Sequence, residues 1–311
     1  MLQKNNIMNT DWTAFLNTQD LSPSLPAINP PFIAPLSHLA ILAVSGQDAA
    51  NFLQGQTTCN IKELNDASPN LGALCNAKGR TISTFIIIKQ ANEFQLILTV
   101  DLLEIVKKKL QMYILRADVQ LTDQSDALCI IGVHNPTQTT LSNLHHYPQQ
   151  EHSYLFIASP EIAQSFWMDA LTNNMLASSE NSWLNLDIQA GIPWLYKETT
   201  EKFVPQMLNL DKLDAISFEK GCYTGQEIVA RTHYLGQNKR AMYQASSQTD
   251  NEITPGTAII DSANDEVNWG EVILTAQQNK STQLLVVLKD ATCAEKNLQL
   301  NNQNKDKITL I

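Results

Sequence analysis

The 311-residue chain has no C-x-x-C pair, no apolar run of membrane-spanning length and no internal repeat or low-complexity tract. Its five cysteines (Cys59, Cys75, Cys129, Cys222 and Cys293) are scattered and odd in number. That spacing excludes a zinc ribbon and a thioredoxin-like redox pair, and no metal-ligand set is expected. Free thiols fit a reducing compartment. The runs Phe85–Ile88 and Leu284–Leu288 are strand-sized, far short of the ~20 residues that cross a bilayer. The first residues are polar, carry Asp11 and Asp20, and lack the apolar core of a signal peptide. A soluble cytoplasmic protein without membrane contact is expected. Charge is also sparse, at 17% of residues, and acidic in balance, with a net charge of −10 and a pI near 5. Affinity for nucleic acid comes largely from Lys and Arg, so direct nucleic-acid binding is not expected. Lys220, Arg231, His233, Lys239 and Arg240 do crowd one segment, and they read as solvated charges around a helix end.

With 43% hydrophobic residues, the length predicts two or three domains. Residues 1–35 contain Pro23, Pro26, Pro30, Pro31 and Pro35 without sustained periodicity, which predicts an extended N-terminal arm. A first α+β unit is expected over 36–125. It has strands over 39–44, 71–75, 81–88 and 94–100, a short helix over 47–54, and a hairpin turn at Ala77-Lys78-Gly79-Arg80. A helix is expected to follow from Asp101 as N-cap to Leu115, its Lys107-Lys108-Lys109 run forming a solvated face. A second α+β unit over 126–238 should hold strands near 128–133 and 154–158. Its helices are expected over 137–146, from Pro160 towards Leu176, and from Trp183 to Ala190 before Gly191. From 239 to 311 the texture becomes short strands between polar turns, predicting a small antiparallel barrel or sandwich.

The densest chemistry lies in Lys220-Gly221-Cys222-Tyr223-Thr224-Gly225-Gln226-Glu227, which runs on into Ile228-Val229-Ala230-Arg231. Thr224 and Glu227 stand at capping-box spacing, which predicts a helix starting there, with Cys222 just outside its N-terminus and Lys220 beside the thiol. Both neighbours would favour thiolate. Glycines at 221 and 225 allow a tight backbone and close approach by a ligand. A buried, space-filling cysteine is the plain alternative. No histidine lies within the motif, and His233 is eleven residues on from Cys222, so a Cys–His hydrolase is poorly supported.

This string, with Phe52-Leu53-Gln54-Gly55-Gln56-Thr57-Thr58, Cys75-Asn76-Ala77-Lys78-Gly79-Arg80, Phe203 to Leu210 and Ile216-Ser217-Phe218, resembles the motifs of the YgfZ-type folate-binding proteins. That family belongs to the superfamily of the glycine-cleavage T-protein, an aminomethyltransferase. The resemblance covers roughly residues 36 to 290. It implies an α+β fold of two interleaved ferredoxin-like units plus a C-terminal antiparallel β-barrel, T-protein-like, with tetrahydrofolate or a derivative in the central hole. It also implies a role in maintaining iron–sulfur enzymes and, through them, in tRNA modification. Iron–sulfur assembly factors or client enzymes would be the partners.

Read onto this chain, the resemblance makes Trp183 a pterin-stacking candidate, although from the residues alone it reads as a core tryptophan. The family's second pocket tryptophan falls at Leu39, and Trp194 is a possible substitute. Tyr223 and Gln226 are candidates for the pocket rim, and Arg231 for a two-pronged contact with the glutamate tail. Cys222 would be the functional thiol, as nucleophile, redox thiol or transient cluster ligand, supported by Lys220 and Glu227. Where aminomethyltransferases carry an Asp pair, this chain has Ser83 and Thr84, which cannot serve as a base. Aminomethyltransferase activity is therefore not expected. A tetrahydrofolate-dependent one-carbon transferase with another acceptor is the alternative.

Overall fold

The computed structural model describes residues 9–23, 30–65, 69–136, 144–236, 238–278, 280–289 and 297–311. Cys293 and residues 137–143 of the expected helix over 137–146 lie outside them. The described residues open with helix α1 (Thr10–Leu16) and strand β1 (Phe32–Pro35). Then come β2 (Leu39–Ser45), α2 (Ala49–Gln54), β3 (Asn70–Cys75), β4 (Thr81–Lys89), β5 (Glu93–Thr99), α3 (Leu103–Ile114) and β6 (Gln120–Asp123). Next are β7 (Cys129–His134), β8 (Leu144–His146), β9 (Ser153–Ala158), α4 (Pro160–Thr172), β10 (Leu176–Ala177) and α5 (Glu180–Ala190). A largely irregular segment leads to α6 (Gln226–Leu235). The strands β11 (Arg240–Ser247), β12 (Ala258–Asp261), β13 (Asn264–Gln278), β14 (Ser281–Lys289), β15 (Leu298–Leu300) and β16 (Ile308–Leu310) finish the chain.

Three sheets result, ordered β3-β4-β5-β2-β6, β10-β1-β7-β9-β8 and β15-β12-β13-β14-β11-β16. Interleaving follows from β1, which precedes the whole first sheet in sequence yet lies in the second, antiparallel to β7 and parallel to β10. Residues 10–16 and 32–35 therefore correct the expectation of an arm extended throughout. Asn9 Oδ1 accepts from the backbone N–H groups of Asp11 and Trp12, starting a helix, and the buried Trp12 packs edge-on to Trp167 of α4. The third sheet is nearly closed, because the Gln299–Lys307 bridge joins its two edge strands. It is the antiparallel barrel the C-terminal texture predicts. Two ferredoxin-like α+β units and a barrel make up the whole.

β4 reads Thr-Ile-Ser-Thr-Phe-Ile-Ile-Ile and is buried on both faces, as a strand covered on each side should be. One apolar cluster unites the first sheet, α5 (Trp183, Leu186, Ile188) and the barrel residues Met242, Ile273 and Leu285. A second fills the barrel, and a third lies between the second sheet and α1 and α4. The core is thus continuous from the first sheet to the barrel, and α5 stands where the units meet.

Some local expectations change. Asp101 is not an N-cap: Val100–Leu102 forms a 3-10 turn, whose first N–H donates to His38 O, and the α-helix starts from Leu102. Residues 144–146 of the expected helix form β8, paired with Tyr154–Phe156. Helix α4 stops at Thr172 because Asn174 adopts a left-handed conformation (φ 63) and Leu176–Ala177 then pairs with β1. Helix α5 ends as expected at Gly191, with φ 70. No helix among the described residues is long and apolar enough to cross a membrane.

Candidate functional site

Three stretches far apart in sequence meet around Cys222. Gly55-Gln56-Thr57 receives the motif from one side: Thr224 N–H donates to Gly55 O (3.2 Å), and Thr224 Oγ1 donates to Gln56 Oε1 (3.3 Å). The Asn76–Arg80 turn receives it from the other. Asn76 Oδ1 holds that turn by accepting from the Lys78 and Arg80 N–H groups. Gly225, at φ +85, lies so close that a Cβ there would stand 2.5 Å from Asn76 O and 3.2 Å from Cys75 Cβ. Gly79 in turn fits under Ile228. Only glycine satisfies both the backbone conformation and the contact at 225.

The helix does not begin at Thr224. Gly225 is the N-cap, no side chain caps α6, and Thr224 spends its hydroxyl on Gln56, so the expected capping box with Glu227 is not formed. Lys220 also differs from expectation. Its ammonium is buried and donates to Thr57 O (2.7 Å) and Cys59 O (2.8 Å), with the Tyr223 ring 5.1 Å away. Burial pulls its pKa down to about 8, while the nearby Cys59 opposes the change. Lys220 is thus an internal strut that joins the Cys222 turn to the Thr57–Cys59 segment. Burial pushes the Cys59 thiol up, and takes Cys75 to about 12, so these sulfurs are protonated core groups. Cys222 is different, because its side chain is exposed on the turn. Tyr223 is buried, Gln226 partly buried, and Glu227 and Arg231 are exposed on α6.

The second group lies on α5 and the start of β2. Trp183 is fully buried, lies over Gly132, and meets the edges of Tyr147 and Phe32. Its Nε1–H finds no acceptor in hydrogen-bond geometry. Leu39 is 6% exposed. Beside them is a polar cluster that sequence reading missed. Asp187, fully buried, accepts from Tyr147 Oη (2.7 Å) and Trp194 Nε1 (2.8 Å). Burial raises its carboxyl to about 7 against the pull of those two donors and of His38. His38 lies 3.4 Å from Glu180, and neither of its ring nitrogens has a hydrogen-bond partner. The available signal was a carboxylate at position 187 between Leu186 and Ile188, within the apolar stretch of a helix.

In kind, these residues fit a reduced pterin. Leu39 and the Trp194 indole are buried apolar groups, and the buried His38 imidazole, 3.4 Å from Glu180, is a polar group suited to a heteroaromatic edge. A ring stacked on Trp183 requires neighbouring side chains to shift, because the indole is wholly enclosed. Ser83 and Thr84 are buried, and each donates to a backbone carbonyl, of Thr84 and Pro193 respectively.

The architecture is of the glycine-cleavage T-protein fold class. A family model described as the GCVT N-terminal domain matches residues 32–164. The structure is similar to the glycine cleavage system aminomethyltransferase T of Bartonella henselae, with a TM-score of 0.71, 13% identity, and coverage of 97% of this chain and 88% of that one. At that identity the likeness speaks to fold alone. Curated relatives narrow the class. The tRNA-modifying protein YgfZ of Colwellia psychrerythraea is 30% identical over 76% of this chain and 78% of its own length. Its counterpart in Yersinia pseudotuberculosis is 33% identical over 67% and 68%, and that of Pectobacterium carotovorum 29% over 90% of each. The chain belongs to the YgfZ family.

Proposed function

We propose that this protein is a tetrahydrofolate-binding accessory factor in tRNA modification, acting through the upkeep of iron–sulfur enzymes, with Cys222 as its working thiol. The observation that carries the reading is the convergence of three separate motifs on the turn that carries one exposed cysteine. Two glycine contacts and a buried lysine anchor that turn, an arrangement that a space-filling thiol does not need. Folate would be held by Leu39 and Trp183, with Tyr223, Gln226 and Arg231 towards its tail. When bound, it supplies a one-carbon carrier. A single thiol cannot hold an iron–sulfur cluster, which takes four ligands, so contact with a cluster would be transient and would involve a partner protein.

The transferase alternative is less well supported. The Ser83 and Thr84 hydroxyls are committed to backbone carbonyls and have no basicity near neutral pH. A strain lacking the protein, complemented with wild type or Cys222→Ser, tests the proposal. Wild type is expected to restore iron–sulfur-dependent tRNA thiomethylation and Cys222→Ser to fail at equal protein level. Full restoration by the serine variant removes the thiol from the function.

A further inference from the structure

Beside the Cys222 turn lies a cleft of about 650 Å³ whose lining runs against the charge of the whole molecule. Lys78, Arg80, Lys202 and Arg240 reach it, with Asn76 and the single carboxylate of Glu201. In a chain of 21 basic and 31 acidic residues, four cations around one cleft are a local reversal of sign. They come from three elements fixed against one another. Lys78 and Arg80 flank Gly79 in the turn that packs on Gly225 and Ile228. Lys202 belongs to a segment held to β4 by Thr81 N–H to Phe203 O and Glu201 N–H to Thr81 O, both 2.8 Å. Arg240 opens the first barrel strand.

Part of this charge is already engaged. Lys202 pairs with Glu271, Arg80 Nη1 donates to Lys202 O (2.8 Å), and Glu201 accepts from Asn76 Nδ2 (3.1 Å). Among the described residues, the Lys78 and Arg240 side chains have no ion-pair partner, and Arg80 keeps its remaining guanidinium donors. A lysine ammonium and two guanidinium forks facing one space suit a multiply charged tetrahedral oxyanion. The lining contains no aromatic ring, so it offers no platform for a base.

We propose that this cleft is a phosphate-binding site, taking the phosphates of a free polyphosphate compound or of an RNA backbone without reading sequence. It does not depend on folate binding. Its position beside Gly225 would bring a phosphate-bearing ligand next to the turn that exposes Cys222.

Full-length protein is titrated with tripolyphosphate and with a labelled 12-nucleotide single-stranded RNA at several salt concentrations. Wild type, Lys78→Glu, Arg240→Glu, the double variant, and Lys108→Glu on α3 as a charge-matched control are compared. Saturable binding of tripolyphosphate is expected, weakened at least tenfold in the double variant and unchanged in Lys108→Glu. RNA binding displaced by tripolyphosphate identifies the backbone as the source. In that case the double variant should flatten the slope of log affinity against log salt by about 1.4, from roughly 0.7 per lost contact. Tripolyphosphate binding without RNA binding identifies a free compound, and supports the site equally. Absence of both, or binding that the double variant leaves intact, overturns it. Melting curves check that each variant is folded.

Discussion

Replacing Asp187 with asparagine isolates a charge buried at the junction of the units. The wild-type carboxyl is displaced from 3.8 to about 7 because burial disfavours its ionised form more than Tyr147 and Trp194 stabilise it. A folded-state pKa above the unfolded one means that the folded protein holds the proton more tightly. This contribution to stability is therefore complete below pH ~4 and lost as pH rises through about 7. Between pH 5 and pH 8 linkage gives a loss of roughly 2–3 kcal/mol from this one group. Asparagine does not titrate, yet its carbonyl can still accept from Trp194 and its amide can donate to the Tyr147 oxygen. Urea melts of both proteins at pH 5, 6, 7 and 8 read the difference directly. Stability of Asp187→Asn relative to wild type should rise across that range by roughly 2–3 kcal/mol, most steeply below pH 7. A difference that stays constant with pH would refute the reasoning, since it would mean that Asp187 does not change ionisation in this window.

Other consequences can be measured on the same preparations. Gly132→Ala places a Cβ 2.3 Å from the Trp183 ring, and should cost about 1–3 kcal/mol in urea melts with a change in tryptophan fluorescence. Gly225→Ala meets both a left-handed φ of 85 and the Asn76 carbonyl at 2.5 Å. It should likewise destabilise by about 1–3 kcal/mol, with hydrogen exchange rising first in residues 220–228 if the hairpin and the Cys222 turn separate. Cys222→Ser, on an exposed turn, should leave melting and folate affinity within about 0.5 kcal/mol of wild type while cellular function is lost.

The sequence made the barrel strands, the first sheet and the end of α5 legible because each depends on local pattern: alternation, a hairpin glycine, or a C-terminal glycine. Interleaving was available only through family resemblance, since nothing within Phe32–Pro35 indicates that it pairs with residues about a hundred positions away. The site was partly legible. The Lys220–Glu227 motif was evident, but spacing suggested a capping box where the tertiary partner Gln56 takes the threonine hydroxyl. Lys220 looked like a cation for the thiol because sequence cannot show that two carbonyls at Thr57 and Cys59 receive its side chain. The His38–Asp187–Tyr147–Trp194 cluster stayed hidden for the same reason: its members are assembled by packing, not by spacing.

The central claim, that a reduced folate is held by Leu39 and Trp183, is tested most directly by calorimetric titration of tetrahydrofolate into wild type and Trp183→Ala. Saturable one-to-one binding by wild type is predicted, weakened by more than ~1 kcal/mol in the variant, with melting showing both folded. Absence of saturable heat with wild type, or equal affinity in the two proteins, would contradict it.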